Sequence, residues 1–182
     1  GSTYNTLDFF GITQLGMIIT TTEHTSTMNM LTFIKLLAFR VIERSMPKNT
    51  FLDEKMRDSY NRTVMEEFLT VGNLLEEISK IDRNVALEAE KSWASYRPRI
   101  IFNKCNLPGE LDILPTIENH FRQTLMLKGD FFGCLFSDTA VTKSFQERKT
   151  LKKVEPYSHI LEDINRLADR IVRLWKQPIR NS

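Results

Sequence analysis

Three short runs of apolar, β-branched or aromatic residues set the limits on what this chain can fold into. They are Gly16-Met17-Ile18-Ile19-Thr20-Thr21-Thr22, Pro98-Arg99-Ile100-Ile101-Phe102-Asn103 and Phe131-Phe132-Gly133-Cys134-Leu135-Phe136. Runs of this length read as strands buried on both faces. Each is followed by a segment with helical spacing, and none reaches the next through a hairpin-length turn. Strands alternating with helices in this way make a parallel sheet with crossover helices. Strands near residues 17–22, 99–103 and 132–136 are therefore expected to lie parallel in one sheet.

The segments between them read as helices. Thr3 to Phe10 is a short one ending near Gly11, and Thr25-Ser26-Thr27 offers hydroxyls to cap the next. From Met28 to Arg44 apolar residues fall on nearly every face, so that helix should be buried on most sides before Pro47 ends it. Between Asn49 and Tyr96 the composition turns to long charged stretches, with Phe51, Met56, Tyr60, Val64, Phe68, Val71, Leu75 and Ile78 at three- and four-residue steps. One or two helices and a further one from about Asp82 to Ser92 are expected here, forming a hairpin against the preceding helix. Pro115 to Lys128 reads as a helix stopped by Gly129. Ser137-Asp138 caps a brief helix to about Gln146. The last helix, 158–175, carries Ile160, Ile164, Leu167, Ile171 and Leu174 as one apolar stripe. That stripe predicts docking on the sheet rather than on a membrane surface, with a basic tail from Lys176.

Composition narrows the class. The 182 residues carry 25 Lys+Arg against 23 Asp+Glu, a net charge of +2 that gives no case for a bulk nucleic-acid binder. Twelve Phe, two Trp and four Tyr are too many aromatics for a disordered chain. No apolar run approaches the ~20 residues of a membrane span. Two cysteines far apart, Cys105 and Cys134, have neither zinc nor redox spacing, read as inert thiols, and suggest a reducing, cytoplasmic setting. The chain starts Gly-Ser-Thr-Tyr without Met or signal-peptide pattern, so it is read as a piece of something longer.

In an open parallel sheet ligands bind at the carboxyl ends of the strands. Here those are Thr22 to Thr25, Asn103 to Asn106, and Ser137 with Asp138. The sequence has no Gly-x-x-x-x-Gly-Lys-Ser/Thr loop, Gly-x-Ser-x-Gly elbow or His-Glu-x-x-His helix. His24, His120 and His159 are scattered and read as ordinary, partly exposed histidines. No catalytic residue and no metal ligand is assigned.

A family resemblance joins these segments. Gly16-Met-Ile-Ile-Thr-Thr-Thr-Glu-His-Thr-Ser26, followed by Phe33-Ile34-Lys35, resembles the "VVTTPEPTS…FIK" segment of MinD/ParA-type P-loop ATPases, the FlhG-like branch above all. In the same order, Arg99-Ile-Ile-Phe-Asn103-Lys104 resembles that family's strand ending in Asn-Arg. Phe132-Gly133-Cys-Leu-Phe-Ser-Asp138-Thr-Ala-Val141 is similar to its "LGYIPYDEAV". Lys152-Lys-Val-Glu-Pro156-Tyr-Ser158 is similar to its approach to the last helix, and residues 1–10 to those after switch II. The likeness covers 1–44 and 98–175.

The resemblance implies an α/β fold: part of a Rossmann-like P-loop NTPase sheet in one domain, with a helical insertion at about 47–97. It implies the C-terminal half of an ATPase switch that uses ATP and Mg, forms nucleotide-dependent homodimers, and positions cell structures such as flagella, division sites or chromosomes. The phosphate-binding loop, switch carboxylates and magnesium ligands would lie upstream, so the chain alone is expected to be inactive. Asn103 stands where the family's amide pairs with adenine, Lys104 follows it, and Asp138 stands in the loop beside the base. Phe136 replaces a family Pro there. Asn103-Lys104-Cys105-Asn106 also compares with the guanine-reading Asn-Lys-x-Asp, but Asn106 sets an amide where a carboxylate is needed, so GTP is the weaker choice. An alternative is a non-hydrolysing adaptor on the same fold, acting on a protein partner through the insertion. The insertion reads either as a surface cover for helix 28–44 or as such a docking surface.

Overall fold

The computed structural model describes residues 4–47, 54 and 70–176. The first helix, α1 (Tyr4–Phe10), is short and held from outside. Leu7 is fully buried, and the Asp8 carboxylate takes both Nε and Nη2 of Arg40, at 2.7 and 2.9 Å. Phe10 packs edge-on against Phe33, with ring centroids 5.2 Å apart. The far end of its ring also lies against Gly16, where a Cβ would sit 2.5 Å from Cζ. That glycine is required by close approach.

β1 (Met17–Thr20) leads into α2 (His24–Ser45). The helix starts earlier than expected, and Thr25, Ser26 and Thr27 belong to its first turn instead of capping it. Glu23 occupies the cap position without a side-chain bond, and its carbonyl accepts from Thr27 N–H at 2.9 Å. As expected, α2 is buried on most sides, from Met30 to Ile42, and ends before Pro47.

Residues 49–53 and 55–69 of the expected hairpin lie outside the described residues. Its remainder forms α3 (Val71–Ile81) and α4 (Arg83–Ala94), broken at Asp82. Thr70 and Asn73 make a reciprocal capping box for α3, and Asp82 accepts from Asn84 and Val85 N–H to start α4. The pair lies against α2 and covers it, as expected, and its apolar face joins the core. Val71, Leu74, Leu75 and Ile78 join the main core with Trp93, which is 1% exposed and donates from Nε1 to the Leu125 carbonyl at 2.6 Å. The β1-to-β2 crossover thus carries much of the core.

β2 (Arg99–Cys105) is followed by a 3₁₀ turn at Pro108–Ile113, α5 (Leu114–Thr124) and β3 (Asp130–Phe136). α5 stops before the expected Gly129. Met126 takes the left-handed conformation at φ 54°, and Leu127 N–H reaches back six residues to the Phe121 carbonyl, closing the helix end. Trp93 bonding to Leu125 fixes that turn, so no glycine is needed. Then come α6 (Thr139–Glu147), a one-turn α7 (Leu151–Val154) in the basic stretch, and α8 (His159–Lys176).

The fold is a mixed α/β arrangement around one three-stranded sheet, parallel as expected, and its strand order is β1-β2-β3. Met17 pairs with Arg99, Thr20 with Phe102, and Ile101 with Gly133. Side chains alternate across the sheet. Ile18, Ile100 and Phe102 meet the core made by α2, α3, α4 and α5. On the other face α8 rests on β3, with Leu167 so close to Gly133 that a Cβ there would lie 2.5 Å from its methyl. The apolar stripe of α8 is only half covered. Ile160 is buried, Leu167, Ile171 and Leu174 are partly so, and Ile164 is exposed, because one edge strand is narrower than the stripe.

The two sheet edges differ. On β3, Arg170 Nη1 donates to the Phe132 carbonyl, and Asp163 accepts from Phe136 N–H at 3.2 Å. Side chains of α8 thereby occupy backbone groups that a further strand would use. On β1 no strand pairs among the described residues, and Ile19 is 64% exposed. No helix among the described residues is long and apolar enough to cross a membrane.

Candidate functional site

The carboxyl ends of β1 and β2 are braced by one carboxylate. Glu110, on the 3₁₀ turn, accepts from Thr22 Oγ1 at 2.7 Å and from Asn106 N–H at 3.2 Å. The Thr22 hydroxyl, followed by the Asn106 amide, holds its carboxyl below the usual range. This brace ties the loop before α2 to the loop after β2.

Asn103 and Lys104 sit beside it, at the end of the central strand. The ladder with β3 is interrupted between Phe102 and Cys105, and Lys104 adopts φ 58°. That kink lets Asn103 Oδ1 accept from Lys104 N–H at 2.9 Å. The Asn103 amide NH₂ makes no hydrogen bond among the described residues, and Asn103 lines a cavity of about 470 Å³. Thr20, Thr21, Ser26, Asn29 and Lys104 share its wall. The Thr21 hydroxyl is buried without a partner among the described residues. The cavity therefore offers an amide, hydroxyls and one ammonium at the place where parallel sheets bind ligands.

Asp138 is elsewhere. Its Oδ1 accepts from Ala140 N–H at 2.8 Å, capping α6 as expected, and its Oδ2 accepts from Ile160 N–H at 3.3 Å in the first turn of α8. One side chain thus starts two helices. It lines a second groove, of about 830 Å³, between β3 and α8. Cys134, His159, Asp163, Arg166 and Arg170 line that groove too. Asn103 with Lys104 and Asp138 consequently face separate cavities.

The other expected groups are quiet. Cys105 is fully buried, and burial pushes its thiol and that of Cys134 upward, away from the reactive thiolate. Burial lowers the His120 pKa, with the Lys35 ammonium adding to it. The described residues contain no group of three His, Cys, Asp or Glu side chains able to hold a metal ion. The magnesium of the resemblance finds no ligand set among them.

Sequence reading missed Glu110 as a brace and Asp163 as an edge cap. Asp163 did leave a signal, since it falls on the inward side of α8 between Ile160 and Leu167. A buried carboxylate in an apolar stripe demands a donor. Glu110 left none, because its partner lies far away in sequence.

Comparison with family models, with curated proteins and with solved structures finds no match to this chain.

Proposed function

We propose that this chain forms the base-binding side of a nucleotide-dependent switch of the MinD/ParA type, taking ATP at the carboxyl ends of β1 and β2. The observation that carries the reading is Asn103. It lies near the carboxyl end of the central strand of a parallel sheet, with its amide NH₂ unbonded among the described residues, and it lines a cavity with Thr21, Ser26 and Lys104. A purine edge offers acceptors to such an amide. The switch would act in the cytoplasm as a nucleotide-dependent homodimer that positions or regulates cell structures. Phosphates and magnesium would be held by residues outside this sequence, which has no phosphate-binding loop. In this reading Asp138 shapes the neighbouring loop, its two oxygens being engaged by Ala140 and Ile160.

The test is a titration of the chain with AMP, ATP and GTP, followed through the backbone amide signals of Thr20, Thr21, Asn103 and Lys104. Adenine nucleotides are expected to move these signals, with no phosphate release by the chain alone. Asn103→Ala is expected to weaken binding by about tenfold, the worth of one hydrogen bond of ~1.4 kcal/mol. Equal affinity in that variant, or shifts confined to the β3–α8 groove, would overturn the reading. The adaptor alternative is weakened where the insertion is described, since the apolar faces of α3 and α4 are spent inside the core.

A further inference from the structure

We infer that Arg99 and Arg170 form a site for an oxyanion, a carboxylate or phosphate group, at the amino ends of β2 and β3. This goes beyond the nucleotide reading, because Arg99 begins the strand whose opposite end carries Asn103.

Only 8% of the Arg99 side chain is exposed, yet among the described residues its guanidinium makes no hydrogen bond, and the enclosed Nε has no partner there. A guanidinium stays charged at any accessible pH, so burial cannot be relieved by losing a proton. The nearest carboxylate oxygen is Asp130 Oδ2, 3.9 Å from Nε and beyond hydrogen-bond reach. Asp130 is moreover shared, since its other oxygen lies 3.4 Å from Arg170 Nη2. Both guanidiniums also stand over the Phe132 ring, at 5.4 Å for Arg99 and 4.4 Å for Arg170. The ring stacks both cations but satisfies none of their N–H groups.

Two positive charges thus face one carboxylate around one aromatic ring. Buried N–H groups left without acceptors are rare in folded proteins, and an unplaced ion is one of the ordinary explanations. The guanidinium fork matches the paired oxygens of a carboxylate or phosphate. Arg170 is half exposed, whereas Arg99 is nearly enclosed, so such a group would meet Arg170 from solvent.

The test follows the side-chain Nε–H signal of Arg99 by NMR, assigned through its loss in Arg99→Met. The chain is titrated with inorganic phosphate and, separately, with acetate, chloride holding the ionic strength constant. A saturable shift of that signal is expected. Phosphate alone saturating would assign a tetrahedral oxyanion, and acetate alone a planar carboxylate. Arg170→Gln, on the exposed side, is expected to weaken the saturating ion by about tenfold while leaving the Asn103 amide signal in place. Arg99→Met is expected to fold at least as stably as the parent in chloride, since it removes an uncompensated buried charge. A shift that is absent, that rises linearly for both ions, or that is unaltered by Arg170→Gln would overturn the proposal, and the last two need no folded Arg99→Met.

Discussion

Replacing Asp138 by Ala separates a structural role from a ligand-binding one. Its carboxylate accepts from Ala140 N–H at 2.8 Å and from Ile160 N–H at 3.3 Å, so the substitution strips the caps from α6 and α8 together. A lost N-cap costs about 1 kcal/mol, within a range of roughly 0.5–2. The shorter bond belongs at the middle of that range and the longer one at its lower end. Loss of a negative charge at two helix starts adds about 0.3–1 kcal/mol. The sum is about 2 kcal/mol, equivalent to roughly 4–8 °C in Tm for a chain of this size. Asp138→Asn keeps one oxygen for Ala140 but turns an amide NH₂ toward the N–H of Ile160, so it should lie between Ala and wild type. Urea unfolding monitored by circular dichroism gives the midpoints, and the slope should stay unchanged. An Ala variant within about 0.5 kcal/mol of wild type would refute the double cap. So would an Ala variant of normal stability that had lost nucleotide binding.

Three further outcomes are expected. Arg40→Met should lower stability at neutral pH and cost little near pH 2. The hydrogen bonds from Arg40, helped by its charge and by that of Arg44, hold the Asp8 carboxyl below its ordinary range. That contribution is present above the unfolded pKa and fades as pH falls through the lower folded value; urea midpoints against pH check it, and a pH-independent difference refutes it. Trp93→Phe should destabilise by about 1–3 kcal/mol, since the Leu125 carbonyl loses its buried donor, and thermal unfolding reads this directly. Gly133→Ala should be destabilising alone and less so when combined with Leu167→Ala, because the clash is with the Leu167 methyl. A double-mutant cycle showing simple additivity would place the strain elsewhere.

The sheet was readable because its strands are apolar runs at separations that only crossovers can span. Their parallel sense agrees with the structure, and so do the cap at Asp138 and the end of α2 before Pro47. Periodicity shows that a helix has an apolar face but not what that face meets, which is why α3 and α4 read as either a cover or a docking surface, and why the burial of Trp93 in the core was not visible. The end of α5 was misplaced because a tertiary bond from Trp93 holds Met126 in a conformation usually left to glycine. At the carboxyl ends, the residues of the candidate site were identified by type, but not their separation. Asn103 and Asp138 end neighbouring strands, and only the three-dimensional course of β3 and α8 turns them into different cavities. The Arg99–Phe132–Arg170 stack was invisible, as nothing in the sequence relates residues on β2, β3 and α8.

The unequal sheet edges limit how copies of this chain could associate through their backbones. Arg170 and Asp163 engage the β3 side, so among the described residues the open row of amides and carbonyls runs along β1. A particle with one reactive end can pair but cannot polymerise. Strand-to-strand joining would stop at two molecules related by a twofold axis, with the Ile19 side chains brought near one another. Freeing the β3 side by removing Arg170 and Asp163 would create a second reactive end, and the same chemistry could then grow a ribbon instead of closing a pair.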